Sequence, residues 1–145
     1  KKLKESAQRA LDYCYKTQSP QGGWRYAPGG ASDTSVTGWF VMALQSGRMS
    51  GLEVPAVNLD KISAFLDTAT TDGGSKYAYI PGQSDSLSMT AEGLLCRQYL
   101  GWAHDDPRLD RGIQYIGRHP LNFTEMDVYY WYYATQATHH MGGKP

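Results

Sequence analysis

Three carboxylates and a set of aromatic rings are the groups in this chain most able to do chemistry. Asp85 lies three residues before Ser88 in the stretch Asp85-Ser86-Leu87-Ser88-Met89-Thr90-Ala91-Glu92-Gly93-Leu94, and Asp33 opens an earlier apolar stretch in a similar place. Either aspartate could hold a proton for transfer. The competing reading is an N-cap, in which the carboxylate accepts from free backbone amides at a helix start. Ser88 cannot supply a proton of that kind, and Glu92 reads as a buried or inter-helix hydrogen-bonding group. Trp39, Phe40, Tyr129, Tyr130, Trp131, Tyr132 and Tyr133 stand in the same kind of apolar stretch. They could line a pocket through dispersion and cation–π attraction, or they could simply be core. Twelve per cent of the chain is aromatic, mostly tyrosine, which favours a cavity with polar tips.

Other chemistries find little support. His139 and His140 are neighbours, so on a helix they point about 100° apart and chelate poorly. His104-Asp105-Asp106 reads as a helix cap, and the glycines read as turn glycines rather than a phosphate cradle. No nucleophile triad is visible, and neither a metal nor a cofactor is expected. Basic and acidic residues balance at 14 each, which gives nucleic acid no electrostatic handle. No apolar run reaches the roughly 18 residues of a membrane span, and no targeting segment is visible, so the compartment is left open. Cys14 and Cys96 lack ligand-like spacing and read as buried thiols, with a disulfide as the alternative.

The elements that must position these groups follow from periodicity. Leu3, Ala7, Ala10, Leu11 and Cys14 predict an amphipathic helix over 3–17, stopped by Ser19-Pro20-Gln21-Gly22-Gly23. A nearly all-apolar helix over 34–46 follows, capped by Ser32 or Asp33, ended by Gly47 and expected to be buried on most sides. Helices over 56–69, 86–100, 107–118 and 126–140 complete the set, the fifth with an Asp106-Pro107 start and the last closed by Gly142-Gly143. Strand signals are weak, so the chain reads as all-α.

Amphipathic and apolar helices alternate, and one motif recurs. Arg9-Ala10-x-x-Tyr13-Cys14 returns as Lys61-Ile62-x-x-Phe65-Leu66 and as Arg111-Gly112-x-x-Tyr115-Ile116. We read residues 1–145 as a single domain of three helical hairpins, at about 1–47, 48–102 and 103–145, each an outer helix followed by an inner one. Stacked side by side they make a curved double layer stabilised between neighbours.

The first copy resembles the QW repeat of squalene and oxidosqualene cyclases: Arg9-Ala10, Tyr13-Cys14, Gln18, Gly22 and Trp24 match it residue by residue, and the later copies keep its helical half. The resemblance implies an (α/α) toroid-type repeat, shared with protein prenyltransferase β-subunits, some polysaccharide lyases and complement-type thioester domains. A complete toroid needs about twice these helices. The expectation is therefore a fragment completed by remaining repeats, or a chain completed by a second copy. Gln18 is expected to bind orphaned backbone groups at an outer helix's C-terminus, and Trp24 to stack on the neighbouring repeat.

Ser88-Met89-Thr90-Ala91-Glu92-Gly93-Leu94 resembles the Asp-Cys-Thr-Ala-Glu-Gly-Leu segment of oxidosqualene cyclases, with Ser88 where the family has its proton-donating aspartate. By that resemblance Asp85 and Asp33 are the substitute acids. Trp39, Phe40, Ser88, Glu92, Tyr129, Tyr130, Trp131 and Tyr133 would then line a cavity for an isoprenoid or other long apolar ligand. Asp12-x-Cys14 matches the prenyltransferase zinc pair in letters, but its outer-helix position points it away from a cavity. The thioester Cys-Gly-Glu-Gln is absent. The alternative function is a non-catalytic helical-repeat module that binds protein or glycan.

Overall fold

The computed structural model describes residues 2–142, so Gly143, expected to help close the last helix, lies outside the described residues. Six α-helices account for most of the described residues: α1 Lys2–Lys16, α2 Thr34–Met49, α3 Ala56–Thr68, α4 Leu87–Tyr99, α5 Pro107–Gly117 and α6 Val128–Met141. The all-α expectation holds. Thr70–Thr71 and Lys76–Tyr77 pair antiparallel as β1 and β2 around a single 3₁₀ turn at Asp72–Gly74, too short a ribbon to alter the class.

Side-chain caps start α2, α4 and α6 in the same way. Asp33 Oδ1 accepts from the Val36 amide at 2.7 Å, Ser86 Oγ from Met89 at 3.2 Å, and Asp127 Oδ1 from Tyr130 at 2.9 Å. Each cap satisfies an amide that has no partner inside its helix. Four residues after the first two caps, a threonine hydroxyl catches the backbone of the preceding loop. Thr37 Oγ1 accepts from the Trp24 amide at 3.0 Å, and Thr90 Oγ1 from the Tyr77 amide at 3.2 Å. Asp106 caps α5 by accepting from the Arg108 amide at 2.9 Å, with Pro107 in the first turn. The cap of α6 shows why it begins at Val128 rather than at 126.

The central helix of the apolar set is α4, which packs against α2 on one side and α6 on the other. Leu44, Ile62, Leu66, Leu94, Leu95 and Leu109 are fully buried between these helices and their amphipathic partners. Full burial of each such side chain stabilises by about 1.5–3 kcal/mol. Both cysteines are free thiols, Cys96 buried and Cys14 partly so. No helix of the described residues is long and apolar enough to cross a membrane.

Two local expectations change. Gly47 does not end α2, which continues to Met49. Gly47 is a packing position: a Cβ there would come within 2.5 Å of Leu11 Cδ1, so its small size lets α1 approach α2. The left-handed residue after the helix is Gly51, with Leu52 N–H returning to Gly47 O at 2.9 Å. α2 is also less enclosed than its composition suggests, because Trp39 is half exposed.

The Gln18–Trp24 segment also differs from expectation. Gln18 Nε2 donates to Gly22 O at 2.7 Å and to Asn58 O at 3.0 Å, and its Oε1 accepts from Asn58 Nδ2 at 2.5 Å. It therefore ties the loop to the start of α3 rather than serving the end of α1. Trp24 serves that end, donating from Nε1 to Cys14 O at 3.0 Å. Its ring stacks on Phe40 of α2, centroids 4.5 Å apart, rather than on the later helices where the stacking was expected. Gly22 has φ +102°, and a Cβ there would lie 2.1 Å from Lys61 O. The obstacle is Lys61 backbone that cannot swing aside, so Gly22→Ala should destabilise by about 3 kcal/mol, read as a lower urea midpoint at constant m-value.

Candidate functional site

The three matching caps put α2, α4 and α6 in a common register, which decides what their shared face presents. Two residues after the caps stand Ser35, Ser88 and Tyr129; four further on stand Trp39, Glu92 and Tyr133. Positions four apart lie on one side of a helix. These six residues gather at the N-terminal half of the helix trio.

Glu92 is the centre of the group and is 0% exposed. Its Oε2 accepts from the Tyr129 hydroxyl at 2.8 Å, and Tyr129 Oη lies 2.7 Å from Ser35 Oγ. Because the single phenolic proton goes to Glu92, Ser35 donates to Tyr129, and the chain Ser35–Tyr129–Glu92 links all three helices. Oε1 lies against Gly38, where a Cβ would come within 2.0 Å of it, so only glycine leaves room for this carboxyl. Among the described residues, Glu92 Oε1 and the Tyr133 hydroxyl are buried without a hydrogen-bond partner.

The environment is aromatic. Trp39 lies 6.1 Å from both Tyr132 and Tyr133, and Tyr129 lies 4.9 Å from Tyr133. Burial pushes the Glu92 carboxyl up to about 8, against the opposing effect of the Tyr129 and Tyr133 hydroxyls. It is therefore largely protonated at neutral pH and can donate a hydrogen bond. Burial, reinforced by the nearby carboxyl, also raises the Tyr129 and Tyr133 phenols well above their ordinary range.

The remaining candidates lie at the rim of this face or away from it. Ser88 Oγ donates to Asp127 Oδ2 at 2.7 Å, at the rim. Phe40 turns away from the shared face towards Trp24. Tyr130 donates to His119 O at 2.7 Å and Trp131 packs edge-on against Phe123, placing both in a separate groove of about 580 Å³ beside the α5–α6 loop. Asp33 is fully buried with both oxygens engaged: Oδ1 by the Val36 amide, and Oδ2 by the Tyr79 hydroxyl at 3.0 Å with Arg25 Nε at 3.3 Å. Tyr79 is raised to about 12 by its hydrogen bond with Tyr26, by burial and by Asp33. Asp85 precedes the cap Ser86, so it is not on α4, and it accepts from Thr71 Oγ1 at 2.9 Å.

Ser35, Arg25, Tyr79 and Asp127 belong to these networks although the sequence reading did not select them. The signal for Ser35 was present: it stands at the same distance from its cap as Ser88. Comparison with family models, curated proteins and solved structures returned no match to this chain.

Proposed function

We propose that the face around Glu92 binds the polar end of an isoprenoid or another long apolar ligand, within a cyclase-like α/α repeat. The observation behind this reading is a fully buried, largely protonated carboxyl set beneath the rings of Trp39, Tyr129, Tyr132 and Tyr133, of which Trp39 and Tyr132 are exposed. Aromatic rings favour an apolar chain by dispersion, and the half-buried Ser35 and Tyr129 hydroxyls, tied to the Glu92 carboxyl, are the polar groups of this face that a terminal hydroxyl or carbonyl can reach.

The same chemistry argues against proton-initiated cyclisation by these groups. An acid raised to about 8 gives up its proton less readily than an ordinary carboxyl, whereas protonating an alkene or epoxide needs a stronger acid. Asp33 has both oxygens engaged, and Asp85 lies off the helix face. Binding rather than turnover is thus the better-supported role.

Native mass spectrometry of the purified chain tests this reading, followed by titration with an isoprenoid alcohol and its parent hydrocarbon. The expected result is retained lipid, tighter binding of the alcohol, and loss of that preference in Glu92→Ala. Absence of binding to both compounds would overturn it. A second reading, a glycan-binding module, draws support from Trp39, 51% exposed and stacked on Tyr132. Oligosaccharide binding that is lost in Trp39→Ala would favour it instead.

A further inference from the structure

The loops that precede α2 and α4 join their helices in the same way, so their positions can be compared one by one. Asp33 N–H donates to Trp24 O at 3.0 Å, and Ser86 N–H donates to Tyr77 O at 3.2 Å. Trp24 thus corresponds to Tyr77, the cap Asp33 to the cap Ser86, and Tyr26 to Tyr79. Arg25 corresponds to Ala78. The second corner closes with an alanine and a serine where the first has an arginine and an aspartate. This turn therefore folds without an ion pair.

Arg25 is held so that its outer edge faces water. Its Nε is buried 3.3 Å from Asp33 Oδ2 without the alignment of a hydrogen bond. The guanidinium carbon lies 5.6 Å from the Tyr79 ring centroid and 5.9 Å from that of Tyr26. The side chain keeps 37% of its surface exposed, and neither Nη bonds to any of the described residues. The other donors nearby are occupied. Tyr79 gives its proton to Asp33, so the Tyr26 hydroxyl, 3.3 Å away, gives its own to Tyr79. The Thr34 and Val36 amides go to Tyr79 O and Asp33 Oδ1. What is left among these groups is one guanidinium fork beside a Tyr26 ring that is 81% exposed.

We propose that Arg25 and Tyr26 form a binding site for a carboxylate carried on an aromatic or apolar body. The fork meets a planar carboxylate through two parallel N–H···O bonds, and the Tyr26 ring packs against the body behind it. A phosphate dianion fits less well, because this single cation already faces the Asp33 carboxylate. The site lies between two internal loops rather than at either edge of the described chain. It does not depend on the ligand reading of the Glu92 face.

Titration of the purified chain with benzoate, acetate and inorganic phosphate tests this site, followed by NMR of the arginine side-chain N–H and tyrosine ring signals. The expected result is saturable shifts at Arg25 and Tyr26, with benzoate bound more tightly than acetate or phosphate. Arg25→Ala combined with Asp33→Ser copies the residues of the second corner, so circular dichroism should match the parent. Benzoate binding should fall at least about tenfold in that variant. Arg25→Lys keeps the charge without the fork and should lose as much, which keeps the test decisive if the double variant fails to fold. Three results would overturn the proposal: no saturable benzoate binding, binding unchanged in a folded variant, or acetate or phosphate bound more tightly than benzoate. Isoprenoid binding is read separately through Glu92→Ala, so either reading can fail alone.

Discussion

Replacing Arg97 with alanine is expected to lower unfolding free energy by about 3–5 kcal/mol, a large part of a typical domain's stability. Arg97 is only 1% exposed, although arginine is rarely buried. Its guanidinium donates from Nε to the Tyr77 hydroxyl at 3.0 Å, from Nη1 to Ser63 O at 3.2 Å and Oγ at 2.8 Å, and from Nη2 to Asp67 Oδ1 at 2.5 Å. It also lies 4.7 Å from the Trp102 ring. Truncation would leave these groups without their shared donor and open a void between α3 and α4.

Urea denaturation of Arg97→Ala, Arg97→Lys and Asp67→Asn separates the contributions. Lysine keeps the charge but lacks the planar fork, so Arg97→Lys should restore little. The Asp67 side chain is 63% exposed, and its ion pair is screened by water. Asp67→Asn keeps an oxygen for Nη2 to donate to and should therefore cost less than Arg97→Ala. A large loss in Asp67→Asn with a small one in Arg97→Ala would contradict this assignment.

The second large effect is a pH dependence from Glu92. Its carboxyl rises from an ordinary 4.5 to about 8 in the folded chain. Below the lower value both folded and unfolded forms are protonated, and Glu92 has no cost. Between the two values the unfolded chain has released this proton while the folded chain retains it. Stability must then fall as pH rises, with a limiting slope of about 1.4 kcal/mol per pH unit from this group. Above about 8 the carboxylate ionises inside the fold and the slope levels off.

Glu92→Gln removes the titration at nearly constant volume. Thermal unfolding from pH 4 to pH 9 should show the variant gaining on the parent across that interval, with the largest difference at the alkaline end. Parallel profiles would mean that Glu92 is solvated or differently paired. The comparison between the two chains cancels the titration of every other group.

Much of the fold was legible in the sequence because its determinants are local. Apolar spacing located all six helices, Asp106-Pro107 announced α5, and Asp33 was one of two residues read as the cap of α2. The recurring turn at Arg9, Lys61 and Arg111 falls within α1, α3 and α5. Such signals act within a few residues, through backbone hydrogen bonds and the 3.6-residue period.

Tertiary packing decided what those signals leave open. Gly47 is an apparent stop by residue type, but the approach of Leu11 makes it an interior contact. Asp85 resembles a helical acid until Ser86 takes the cap one residue later. Glu92 is one polar residue on an apolar helix until Gly38, 54 positions earlier, makes room for it and Tyr129, 37 positions later, donates to it. Its protonation follows from the dielectric and hydrogen bonds created when three helices meet. The sequence by itself determined which residues become helices. Only their packing in three dimensions determined which of its carboxyls would be held neutral, because that depends on contacts between residues far apart in the chain.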